Sequence, residues 1–329
     1  MIPQSLQERV DQYQDIYHQL KKDLKWKVSD KRMLMMIASM YVTNQKPFEK
    51  DRFLRVSDFI KKEVGLFSTL KSSYRFTIAA LLDVRFEDPE EKFATLMEYY
   101  RSLVDEKFNR TIFTYISAYV LLANQQEDID ETIKKSMEMY KGMSENHPFL
   151  TSSSDYPLAV LLASGDGPIK ETLDCMERFY TKLDEKSFRK GNELQFLSHF
   201  LTFKQDEDES GIVERCDEIF ETCKRLGKKP KAQHYPSIGI LSLIDQGNQE
   251  VERVLDVHEQ LNNEKEFKWH KDANFTMAVN LTMSNHFDAA NLMNTGIYAS
   301  LETIIQAQQV AMVAGVAGAA AASGGDGGG

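Results

Sequence analysis

Three stretches of the chain decide the fold, and each begins with a tyrosine: residues 74–82 read YRFTIAALL, residues 156–162 read YPLAVLL, and residues 235–241 read YPSIGIL. In each stretch the tyrosine is followed by a short apolar run. A Glu-Lys pair follows further on, shortly before a phenylalanine, and these pairs start at positions 106, 185 and 264, an interval of 79 residues both times. Landmarks that recur in the same order at the same spacing are typical of a repeat protein.

Each repeat divides into four helices, which we name A to D. The A helix is the apolar run after the tyrosine, and an aspartate at position 83, 166 or 245 is expected in the turn that follows it. The B helix is amphipathic and ends near the Glu-Lys pair. The C helix is strongly apolar, as in residues 112–122, and the D helix is amphipathic and more charged, as in residues 129–143.

This pattern predicts an all-α fold, a superhelical or solenoid-like array of antiparallel helices with ~79-residue four-helix repeats. The alternative is one irregular all-α domain, whose helices resemble one another because amphipathic helices look alike. The expected divisions are partial N-terminal helices, two full repeats, a partial third repeat, a C-terminal helix and a flexible glycine-rich tail: 1–73, 74–155, 156–234, 235–287, 288–322 and 323–329.

The composition argues against several classes of function. Lys and Arg number 40 against 50 Asp and Glu, and without a basic tract we expect no nucleic-acid binding. The N-terminus carries charges throughout instead of a secretion signal, and no apolar stretch is long enough to span a membrane. Three cysteines without a disulfide framework indicate reduced thiols and a cytoplasmic protein.

The middle repeat carries an unusual polar face. Residues 191–200 read GNELQFLSHF, and helical spacing puts Asn192, Gln195 and His199 on one side, with Ser198 beside them. If the A and C helices are neighbours, side chains just before the A helix could approach this face. The candidate ligand-binding residues are therefore His147, Asp155, Tyr156, Asn192, Gln195, Ser198 and His199. The alternative is a buried hydrogen-bond network that fixes how the helices pack.

Two other functions are weaker alternatives. A hydrolase could use His147, Asp155, Ser198 and His199, but adjacent residues on a helix point about 100° apart, so His199 is a poor base for Ser198. Residues 206–217 place oxygen side chains and a glycine almost as a calcium loop does, although Asp217 stands where glutamate is usual. The competing interpretation is an acidic linker in which Ser210 caps the D helix. Phosphate-binding glycine loops are absent, and we expect no catalytic residue, metal or cofactor.

Two strings resemble a known family. HPFLTSSSDYPLAVLLA, at residues 147–163, and FRKGNELQFLSHFL, at residues 188–201, are similar to the bacterial domain-of-unknown-function family 4003 of low-GC Gram-positive bacteria. The resemblance covers nearly the whole chain. It implies a bacterial cytoplasmic protein and brings no activity, cofactor or catalytic residue. The function expected from the residues is a non-catalytic binding or scaffold module, with a groove at the middle repeat for a protein, peptide or small ligand.

Overall fold

A computed structural model describes residues 2–124, 128–165, 167–204, 208–244 and 246–289, with side chains as far as residue 284. Within these ranges the chain forms helices and short 3-10 turns and contains no strand, which confirms the all-α prediction. The C-terminal helix and glycine-rich tail expected at 288–329 lie almost entirely outside the described residues. No described helix is both long enough and apolar enough to cross a membrane.

The described ranges hold fourteen α-helices, numbered in chain order: Gln4–Leu24 (α1), Lys31–Thr43 (α2), Lys50–Glu63 (α3), Tyr74–Arg85 (α4), Pro89–Asp105 (α5), Ile112–Asn124 (α6), Ile129–Asn146 (α7), Tyr156–Ala163 (α8), Ile169–Asp184 (α9), Asn192–Leu201 (α10), Glu209–Arg225 (α11), Tyr235–Ser242 (α12), Gly247–Asn263 (α13) and Lys271–Ala289 (α14). Short 3-10 turns at Thr69–Lys71, Ser153–Asp155 and Ala232–His234 precede α4, α8 and α12, the three helices that begin with tyrosine.

Burial alternates along the chain. The even-numbered helices are buried on nearly every side, as in α6, where every residue from Ile112 to Ala123 is buried. The odd-numbered helices are amphipathic and bury one stripe each, such as Phe93, Leu96 and Leu103 of α5. An apolar helix is stable in water only when other helices cover it, so the amphipathic helices provide the cover and the apolar helices form the core.

The helices gather into two compact units. The described part of the first, here called the N-terminal unit, comprises residues 12–124, 128–137 and 153–161. The described part of the second, the C-terminal unit, comprises residues 2–11, 138–152, 162–165, 167–204, 208–244 and 246–289.

The tyrosine that begins an A helix makes the same two contacts in both units. In the N-terminal unit the Tyr156 hydroxyl accepts a hydrogen bond from the Asn109 backbone N–H at 3.3 Å, and its ring meets Phe108 edge-on at 4.7 Å. In the C-terminal unit the Tyr235 hydroxyl accepts from the Arg189 N–H at 3.0 Å, and its ring meets Phe188 at 4.9 Å. The first two of the three landmarks, which end at Phe108 and Phe188, are therefore each contacted by the tyrosine of a later helix.

Asp83 is not in a turn, as the sequence pattern suggested, but in the last turn of α4, with only 1% of its surface exposed. Its carboxylate accepts hydrogen bonds of 2.5 Å from the Tyr41 hydroxyl and from the Arg52 guanidinium. Arg52 also donates to the backbone carbonyl of Phe86 at 3.1 Å. A buried carboxylate needs such partners, and they allow an aspartate to remain inside the core of the N-terminal unit.

Candidate functional site

The polar face predicted on the C helix lies on α10, in the C-terminal unit. Gly191 precedes this helix with φ of 149°, a backbone angle that residues with a side chain rarely adopt. Helix α10 packs against α9, and the loop between α7 and α8 supplies Thr151, whose hydroxyl accepts a 2.8 Å hydrogen bond from the Gln195 amide. We call this meeting of one loop and two helices the middle junction, made of His147, Thr151, Glu177, Tyr180, Gln195 and His199.

His147 is a half-buried member of the middle junction. Its Nε2 atom lies 3.0 Å from the Glu177 carboxylate, and its ring packs on Tyr180 with 4.5 Å between centroids. Both partners project from α9. The imidazole is thus held between an acidic group and an aromatic ring at the end of α7.

His199 lies deeper, with 1% of its surface exposed. Burial, helped by the nearby charge of His147, lowers the pKa of His199 to about 3, so the ring is neutral at ordinary pH. Its Nδ1 atom and the Oε1 atom of Gln195 have no hydrogen-bond partner among the described residues. His147 Nε2 likewise forms no hydrogen bond although it lies near Glu177, so the junction contains three buried polar atoms without a hydrogen-bond partner among the described residues.

The other four predicted site residues lie outside this junction. Asn192 is exposed at the start of α10, and Ser198 is buried with its hydroxyl donating to the Gln195 carbonyl of its own helix at 2.8 Å. Asp155 and Tyr156 belong to the N-terminal unit, where the Tyr156 hydroxyl is occupied by Asn109. Ser198 thus points its hydroxyl at backbone, and the geometry does not favour the hydrolase alternative.

The calcium alternative is not favoured either. Asp206 and Glu207 lie outside the described residues, and Asp208 accepts hydrogen bonds from the backbone of Ser210 and Gly211 as the N-cap of α11. Asp208, and not Ser210 as expected, is therefore the cap. Glu209 pairs with Arg178 at 2.7 Å, which lowers its carboxyl pKa to about 2. Over the parts of the chain that the structure describes, no three His, Cys, Asp or Glu side chains gather to hold a metal.

A second junction, which the sequence reading missed, lies in the N-terminal unit and uses corresponding elements. Tyr100 of α5 stacks on Tyr115 of α6 with parallel rings 3.9 Å apart, and the Tyr115 hydroxyl shares a 2.9 Å hydrogen bond with Ser68 in the loop before α4. Tyr100 and Tyr115 stand 80 positions before Tyr180 and Gln195. This interval, close to the repeat length, is the sequence signal from which the junction could have been predicted. We call this meeting of one loop and two helices the first junction.

The first junction borders an open groove of about 240 Å³. Helix α5 provides most of its lining and the loop after α5 provides the rest: Met97, Tyr100, Arg101, Val104, Asp105 and Arg110. Burial raises the pKa of the Tyr100 hydroxyl above its usual range, and a hydrogen bond with Tyr115 adds to the effect. Tyr100 is therefore uncharged at ordinary pH and contributes an aromatic surface to the groove.

A third junction in the C-terminal unit joins α13, α14 and the loop before α12. His258 lies 3.5 Å from the Lys228 ammonium and 3.0 Å from the Lys271 carbonyl, and Asn274 donates to Asn262 at 2.8 Å. Burial and Lys228 lower the pKa of His258 to about 4. The three junctions share their elements and differ in their side chains.

Comparisons with known proteins place the chain in a family of unknown function. The chain is 38% identical over 314 residues to the uncharacterized protein YeaA of Bacillus subtilis (strain 168), and the match covers 94% of each chain. No solved structure matches it. The family described as "Protein of unknown function (DUF4003)" matches residues 16–310, and the chain belongs to that family.

Proposed function

We propose that this protein is a non-catalytic helical-repeat module that binds a peptide or protein partner at its junctions. Four-helix units of about 79 residues stack along the chain, with sequence repeats at 74–155, 156–234 and 235–287. The recurring contact between a tyrosine and the loop after a B helix supports this array, because Tyr156 and Tyr235 dock on corresponding residues. That contact joins the loop between a B and a C helix to the A helix that follows the next C and D helices. The helices that pack together as one unit are therefore B, C, D and the next A.

The observation that carries the proposal is the recurrence of one junction with different side chains. The same loop and the same two helices meet at Tyr100, Tyr180 and His258. Repeat proteins keep their scaffold constant and vary the residues at one position of each repeat to recognise a partner. The proposed partner contacts are His147 of the middle junction and Asn192, which is exposed at the start of α10. The buried Gln195, Ser198 and His199 of α10 support them.

Peptide selection tests this function. The full chain is immobilised and a phage-displayed library of random dodecapeptides is selected on it, after which the enriched peptides are synthesised and their Kd values measured by fluorescence polarisation. We expect enriched peptides, and we expect at least a tenfold weaker Kd in either His147→Ala or Tyr100→Ala. Glu145→Ala, an exposed change on α7 close to His147, is the control and keeps the wild-type Kd.

Three results would contradict the proposal. One is that no peptide is enriched, and another is that both junction variants bind as tightly as the control. The third is turnover of ester, phosphoester or peptide substrates that disappears in Ser198→Ala, since that would make the protein a hydrolase.

A further inference from the structure

The groove of the first junction is lined by two guanidinium groups and one carboxylate. Arg101 and Arg110 line it, and neither forms a hydrogen bond or an ion pair with another side chain in the described part of the chain. Asp105 is the one acidic residue of the lining. In a protein of net charge −10, an open groove with a surplus of positive charge is suited to an anionic ligand.

The remaining lining is apolar and aromatic. Met97 and Val104 flank Tyr100, whose ring is fixed by its stack on Tyr115. Arg110 lies close enough to Tyr100 to lower the pKa of its hydroxyl, against the larger upward effect of burial. An aromatic face next to a guanidinium group binds a flat apolar side chain on one side and a carboxylate on the other.

The size and openness of the groove favour a peptide over an enclosed small molecule. Its volume of about 240 Å³ holds about eight water molecules. Drug-sized ligands occupy pockets of roughly 300–1,000 Å³ that bury most of their surface. A groove of this size fits one aromatic or large aliphatic side chain together with a neighbouring carboxylate.

Apolar surface continues beyond the groove. Leu66 and Phe67 are 79% and 99% exposed, and they directly precede Ser68, which is hydrogen-bonded to Tyr115. Large side chains exposed side by side on a loop are typical of a surface that a partner covers. A peptide that places one side chain in the groove can therefore extend along this loop.

We infer that the first junction binds a peptide segment that carries an acidic residue next to an aromatic or large aliphatic residue. The aliphatic or aromatic side chain lies on Tyr100, and the carboxylate binds Arg101 and Arg110. This inference rests on the proposed function and names the class of partner for one of its junctions.

The test uses the peptides selected on the full chain. We expect enriched sequences with Asp or Glu within two positions of an aromatic or large aliphatic residue. We expect the Kd to weaken at least tenfold in the Arg101→Gln/Arg110→Gln double variant and to weaken on raising the salt from about 50 to 300 mM. The Lys134→Gln/Lys141→Gln double variant loses the same charge at exposed positions of α7 and should retain the wild-type Kd.

A second measurement needs no protein variant. Replacing the acidic residues of a selected peptide by Asn or Gln should weaken its Kd at least tenfold. The inference is overturned if the enriched peptides lack acidic residues, if the arginine variant binds within twofold of wild type, or if the lysine control loses as much affinity. In those cases peptide binding itself persists and the proposed function stands, whereas the failure to enrich any peptide contradicts both.

Discussion

Buried histidines make the stability of this protein depend on pH. The pKa of His199 is lowered to about 3 by burial, and those of His234 and His258 to about 4. Unfolding exposes these rings and returns their pKa to near 6.5, so the unfolded chain binds more protons at intermediate pH. The free energy of unfolding is therefore unaffected by these histidines above about pH 6.5 and decreases as the pH falls towards their folded-state pKa values.

His199→Leu should remove one part of this dependence. Each buried histidine contributes a slope of up to ~1.4 kcal/mol per pH unit between its folded and unfolded pKa. We expect urea unfolding of the variant to show a slope smaller by about that amount between pH 6 and 4. Near pH 8 its stability should change little, because His199 Nδ1 has no partner among the described residues to lose. Identical slopes in both proteins would show that His199 is not buried as described.

The three cysteines should be inert in the folded protein. Cys175, Cys216 and Cys223 are buried free thiols, and burial raises their pKa values to about 11, 12 and 12. The thiolate is the reactive form, so Ellman's reagent at pH 8 should modify less than one thiol per chain in minutes. In denaturant it should modify all three. Rapid modification of the native protein would contradict the burial of these helices.

At the scale of elements, the tyrosine that begins an A helix holds that helix to the loop after an earlier B helix. Tyr235→Phe removes the hydroxyl that accepts the Arg189 N–H and should lower the free energy of unfolding by about 1 kcal/mol. Tyr74→Phe is the matched control, because no partner of the Tyr74 hydroxyl is found in the described residues, and it should cost less. Urea titrations of both variants measure these changes in the free energy of unfolding. Equal decreases in the two variants would argue against the contact between Tyr235 and Arg189.

The Asp83 network should stabilise α4 in the N-terminal unit. Asp83→Asn removes the charge that Arg52 and Tyr41 contact and should cost about 3 kcal/mol, as for other buried ion pairs broken on one side. Glu90→Gln breaks the exposed pair with Arg55 at 3.2 Å and should cost less than about 1 kcal/mol. A similar small loss in both variants, measured by thermal unfolding, would mean that Asp83 is solvated.

Helices were easier to predict than their partners. Apolar periodicity identified α4, α8 and α12 and the amphipathic helices between them, because one face of such a helix must be buried wherever it packs. Asp83 was wrongly expected in a turn, since aspartate favours turns locally and its partners, Tyr41 and Arg52, are 42 and 31 positions away. Only the folded chain brings those partners together.

At the scale of the whole molecule, the sequence predicts sites within one helix better than sites formed by residues that are far apart in the chain. The polar face of α10 was visible, because Gln195 and His199 interrupt an otherwise apolar helix. The groove at Tyr100 was not visible in the sequence, because Met97, Arg101 and Val104 fit an ordinary amphipathic helix. Only the fold places Tyr115 and Ser68 beside that helix. The division of the chain into the repeats 74–155 and 156–234 stays a prediction.

Hydrogen–deuterium exchange on the full chain, with and without a saturating selected peptide, tests most directly the claim that junctions between repeated helices bind a partner. The account predicts slower exchange at one or more junctions, namely the loop at 65–73 with α5 and α6, or the corresponding loop and helices at the middle and third junctions. Slower exchange confined to α3 or α11, or no change in exchange at saturating peptide, would contradict the claim that the junctions bind the partner.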